Sequence, residues 1–89
     1  MDDIDTYDIQ LLAGFLERAW AGRDAALSDF ERQSWDMIET MILNEPTVKS
    51  LTSKLQTSVR SCHKGSFRLA VRVMLTYMEE VKISYLARV

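Results

Sequence analysis

Cysteine, proline and glycine are scarce in this chain. It has one cysteine, one proline and three glycines in 89 residues. A single cysteine forms no internal disulfide, so a disulfide-stapled secreted scaffold is excluded and a reducing compartment is expected. So few glycines and prolines leave too few turns for a many-stranded β protein and favour a small number of long helices. No run approaches the ~20 apolar residues of a membrane span. The most apolar region is broken by Arg68, Arg72, Glu79, Glu80 and Lys82. The start, Met1-Asp2-Asp3-Ile4-Asp5, is acidic and lacks the basic opening and apolar stretch of a secretory signal. Together these features predict the cytoplasm of a bacterial or virus-infected cell and no membrane partner.

Acidic residues are missing from a long central stretch, with none between Glu45 and Glu79. From Met1 to Pro46 eleven acidic residues face three basic ones, a balance of −8. From Thr47 to Val89 eight basic residues face two acidic ones, a balance of +6. The overall charge of −2 hides this division. Such a split either provides surfaces for external partners or lets two halves of one fold attract each other.

A hydrophobic content of 47% with 27% charge of mixed sign is that of a folded domain. The length predicts one small domain over residues 1–89 with a thin core. Apolar spacing predicts an all-α bundle of four helices at about 6–21, 28–43, 47–63 and 66–88, with the C-terminal helix central. In the first helix, Asp5 is the expected N-cap and Gly22 the expected left-handed stop. Ile9, Leu12, Phe15, Leu16, Ala19 and Trp20 share one apolar face. Gly14 is a candidate for close helix contact. Ser28-Asp29-Phe30-Glu31 matches a capping box at the start of the second helix. There Phe30, Ser34, Met37 and Met41 form one stripe, with Trp35, Ile38 and Ile42 beside it. Pro46 ends the run.

Helix three carries a narrow stripe, Val48, Leu51, Leu55, Val59 and Cys62, among Ser, Thr, Lys, Arg and Gln. It is expected to be the most exposed helix, with Gly65 ending it. Ser66 is the expected cap of helix four, whose apolar residues nearly encircle it and predict packing on most sides. The alternating run Phe67–Val73 also reads as a strand, but no second strand is visible to pair with it.

Chemistry-bearing patterns are sparse. Cys62-His63 has no further Cys or His to complete a zinc site, and neighbours on a helix diverge by ~100°. Lys64-Gly65-Ser66 is not the Gly-Lys-Ser order of a phosphate loop, and no Gly-x-Ser-x-Gly elbow is present. No catalytic residue, metal ligand or cofactor is therefore predicted, and the chain is read as non-enzymatic. Trp20, Trp35, Met37 and Met41 are the expected partner-binding residues, since Trp and Met are enriched at binding surfaces. They mark a protein-interaction module: a small adaptor or inhibitor that docks on a larger protein and self-associates as a homodimer or higher oligomer. The alternative is nucleic-acid or phosphate-ligand binding through Lys49, Lys54, Arg60, Lys64, Arg68 and Arg72, which lie among seven serines and threonines. A sequence-reading helix-turn-helix around Gly65 is disfavoured, because Lys64, Ser66 and Arg60 fall where that motif packs inward.

Overall fold

The computed structural model describes residues 6–87. Four helices follow one another: α1 (Thr6–Ala25), α2 (Asp29–Asn44), α3 (Val48–Ser61) and α4 (Gly65–Ala87). Connections of three residues make successive helices antiparallel. The result is an all-α globule in which the helices pack on one another, with no strand among the described residues. The alternating run Phe67–Val73 is helical. At ~1.5 Å per residue, α4 spans about 35 Å, close to the 38 Å long dimension of the molecule.

Each helix gives a narrow stripe to one core. Phe15 and Ala19 come from α1, Trp35, Ile38 and Ile42 from α2, and Leu51 and Leu55 from α3. Phe67, Ala70, Val71, Met74 and Met78 come from α4. The C-terminal helix thus supplies the most core residues and touches the other three. It is not packed on most sides: one face is buried, from Phe67 to Met78 in the first four turns. Leu69, Ile83 and Leu86 are exposed, and Tyr85, 41% exposed, meets the Tyr7 ring edge-on at 4.5 Å.

Several helix ends differ from expectation for local reasons. Asp5 lies outside the described residues. Gly22 does not stop α1, which continues to Ala25, and no glycine adopts a positive φ among the described residues. Its backbone lies directly under the Trp35 indole, where an added Cβ would come within 2.5 Å of ring atoms. Close helix contact therefore occurs at Gly22. Gly14 has open space around its Cα. Next to Gly22, Arg23 donates to Glu39 at 3.0 Å and to Asp36 at 3.5 Å, fastening the last turn of α1 to α2.

The Ser28 cap forms as predicted: its Oγ accepts from the Glu31 N–H at 3.2 Å. Glu31 reaches back one residue further than a capping box requires, accepting from the Leu27 N–H. At α3 a second capping pair forms between Thr47 and Ser50, each side chain accepting from the other's backbone N–H. The next N–H, that of Val48, donates to the Asp8 carboxylate at 3.1 Å and ties the start of α3 to the start of α1. α3 ends at Ser61, with Cys62 already extended. Gly65 opens α4 rather than closing α3, and the Arg68 N–H bonds the Lys64 carbonyl. Ser66 is not the cap. It sits in the first turn, with its Oγ bonded to the buried Ser34 hydroxyl, which itself donates to Phe30 C=O.

The two glycines separate close packing from helix propensity. Gly14→Ala is expected to raise stability by about 0.5–1 kcal/mol, because alanine is the better helix former and nothing is displaced. Gly22→Ala gains the same propensity but drives a methyl into a buried indole, an overpacking cost of about 1–3 kcal/mol. A lower urea midpoint for Gly22→Ala beside a higher one for Gly14→Ala checks the seating of α1 on α2.

Candidate functional site: two faces and a cleft

The four residues expected to bind a partner do not share one surface. Trp35 is in the core, 9% exposed. It lies on the side of α2 that meets α1, so burial removes it from any docking face. Met41 is half-buried against the same core. Trp20 and Met37 are exposed, at 41% and 50%. Phe30 and Met37 turn outward because the stripe that includes Trp35 and Ile38 takes the core.

The exposed apolar residues gather elsewhere. On α1, Ile9, Ala13, Leu16 and Trp20 recur at helical spacing along one stripe. Ile9 and Trp20 are exposed, Ala13 is exposed and Leu16 is half-buried. Beside the first turns of this stripe runs the end of α2. Ile9, Leu12 and Leu16 line a shallow groove with Ile42, Leu43 and Pro46. Leu43 is 64% exposed. Glu17, Asp24 and Asp36 stand exposed on the same two helices.

Basic residues dominate the opposite half of the chain. Lys49, Lys54, Arg60, Lys64, Arg68 and Arg72 are all exposed. Lys49 and Arg60 are eleven residues apart, three full turns, and so share with Ser53 and Gln56 one exposed stripe of α3, the one that borders α4. Lys64 lies in the α3–α4 connection, and Arg68 and Arg72 lie one turn apart on α4. None of the six makes an ion pair with a described residue. The ion pairs among the described residues all radiate from Arg23, to Asp24, Asp36 and Glu39. Arg18 packs its guanidinium over the Tyr77 ring, 5.5 Å from the centroid. Between described residues, therefore, no ion pair joins the acidic half to the basic half.

A third feature is a cleft of about 560 Å³ between α1, α3 and α4. Leu11, Phe15, Val48, Leu75 and Met78 form its walls, and Lys49, Ser53, Gln56, Glu79 and Lys82 stand at its mouth. It exists because α3 turns Thr52, Ser53 and Gln56 toward α4 where larger apolar residues would have closed the gap. Tyr7 and Lys82 were not singled out by sequence reasoning. Their signal is a three-helix juxtaposition that no single-helix periodicity carries.

Cys62 is half-buried and His63 exposed in the connection after α3. No three Cys, His, Asp or Glu side chains converge in metal-holding geometry among the described residues. No described helix is long and apolar enough to cross a membrane. Family models, curated proteins and solved structures give no match to this chain.

The tryptophans have different roles by burial, and truncation should separate them. Trp35→Ala is expected to cost about 3–5 kcal/mol, the range for emptying a buried aromatic site. Trp20→Ala should cost under ~1 kcal/mol. Thermal unfolding of the two variants, followed by circular dichroism, reads the difference.

Proposed function

We propose that this protein is a non-enzymatic protein-interaction module, a small adaptor or inhibitor that docks on a larger protein through the outer face of α1 and α2. One observation carries this reading. Ile9 and Trp20 stand exposed along one stripe of α1 with Leu16, beside the exposed Leu43 of α2 across the groove that Ile9, Leu12 and Leu16 line with Ile42 and Pro46. Grouped apolar exposure marks interaction sites, whereas isolated exposed residues are ordinary. The exposed carboxylates around them steer a partner with basic surface, since exposed ion pairs set orientation and on-rate more than affinity. A second copy of the chain offers such a surface on α3 and α4, which supports self-association as a homodimer or higher oligomer. The lone cysteine is compatible with a cytoplasmic setting in a bacterial or virus-infected cell.

A second reading rests on a different observation. Six exposed cations, none ion-paired to a described residue, lie on α3, the α3–α4 connection and the first half of α4, interleaved with serine and threonine hydroxyls. This is the chemistry of non-specific phosphate contact on a nucleic acid.

The two readings predict different losses. The triple variant Ile9→Ser, Trp20→Ser, Leu43→Ser leaves the core untouched, so helical content should stay near that of the parent. Its partner capture and its concentration-dependent sedimentation should both fall by at least roughly tenfold, the equivalent of 1.4 kcal/mol. Undiminished capture and sedimentation would refute docking through this face. Anisotropy of labelled generic DNA and RNA addresses the second reading. Six neutralised phosphates predict a log–log salt slope of about −5 on duplex. Absence of binding at low salt would remove that reading.

A further inference from the structure

The cleft between α1, α3 and α4 is polarised along its length. α1 and α3 run parallel, tied at their starts by the Val48–Asp8 hydrogen bond. α4 runs against both, bringing Tyr85 to Tyr7 and Tyr77 to Phe15. The lining residues therefore fall into three layers. At one end stand Tyr7, Lys49 and Lys82. In the middle are Leu11, Thr52, Ser53, Met78 and Glu79. At the other end are Phe15, Gln56 and Leu75. Both cleft lysines are thus at the same end, and the far end has no charged lining residue. Each wall steps through the layers at helical spacing: Tyr7, Leu11 and Phe15 on α1, and Lys82, Met78 and Leu75 on α4. From Lys49 to Gln56 the cleft follows seven residues of α3, about 10 Å.

We propose that this cleft binds a medium-chain fatty carboxylate, with its head between Lys49 and Lys82 and its chain directed along Leu11 and Met78 toward Phe15 and Leu75. Three features select this class. The walls are apolar and the mouth polar, the usual construction of a small-molecule site, and the volume is within the usual range. The cationic end demands an anion at one tip of the ligand and an apolar body behind it. Glu79, one turn before Lys82, leaves the mouth with a single net positive charge, which suits a monoanion better than a dianionic phosphate. Glu79 also repels a carboxylate from the middle layer, so the head is confined to the lysine end. The α1 wall of the site, Tyr7, Leu11 and Phe15, is on the opposite side of that helix from Ile9 and Trp20, so its test is independent of docking through the outer α1–α2 face, and Lys49 is the one residue it shares with the basic face.

Decanoate is the probe, titrated into the intact chain by calorimetry below its micellar concentration, with octanoate and decanol alongside. Saturable one-to-one binding is expected. Decanoate should exceed octanoate by up to roughly fourfold per added buried methylene. Lys49→Gln with Lys82→Gln should weaken decanoate by up to roughly fivefold per lysine and leave decanol unchanged. Ser53→Trp, at an exposed position at the cleft mouth, should abolish both. Gln56→Trp serves the same purpose one turn on, should the first variant fail to fold. The proposal is overturned by no saturable decanoate binding to the intact chain. It is equally overturned by decanoate affinity that survives the tryptophan block or the loss of both lysines.

Discussion

The close approach of α1 to α2 at Gly22 is the contact on which most other features of this molecule depend. Only a residue without a Cβ lets the Trp35 indole lie flat on the α1 backbone. With Trp35 turned inward, the side of α2 that carries Ile38 and Ile42 becomes the core side, and Phe30 and Met37 rotate into solvent. The same contact prolongs α1 past the glycine and places Arg23 within reach of Asp36 and Glu39. A single small residue thereby sets the register of the hairpin, the identity of the core stripe and the pattern of apolar exposure.

That register also shapes the electrostatics. Arg23 engages carboxylates of its own half, and no ion pair between described residues crosses to the basic half. The α3 stripe is narrow, only Leu51 and Leu55 being fully buried, so Lys49, Lys54 and Arg60 project into water. The fold therefore gathers most of its exposed carboxylates on α1 and α2 and most of its exposed cations on α3, the α3–α4 connection and α4. Exposed charges held apart in this way contribute little to folding and are available for recognition. The same thin α3, bearing hydroxyls where it passes α4, leaves the cleft open. Exposed apolar stripe, basic face and cleft thus share one origin: a core too small to cover what the four helices carry.

Much of the architecture was legible from the chain because it is written locally. The periodicity of Leu51 and Leu55, the Ser28 cap and the interruption at Pro46 each depend on residues within a turn or two. Features involving two helices were not legible. Gly22 resembles a C-terminal stop in sequence, and only the indole from α2 shows why the helix continues. Trp35 and Trp20 look equivalent as surface candidates, yet one is covered and the other is not. The Thr47–Ser50 capping pair uses serine where glutamate or glutamine is usual, so the common pattern misses it. The six basic residues were legible as a group. Their freedom from carboxylate partners was not, since it depends on where the acidic helices lie.

The central claim is that the charge division faces outward and is not used to hold the halves together. The most direct test is the unfolding free energy in urea at about 0.01 M and about 1 M salt, between which the screening length falls from ~30 to ~3 Å. The account predicts a change under ~1 kcal/mol, because no exposed pair is worth more and the surviving pairs centre on Arg23. A loss of several kcal/mol at high salt would mean that the acidic and basic halves hold each other in the folded state, and would contradict it.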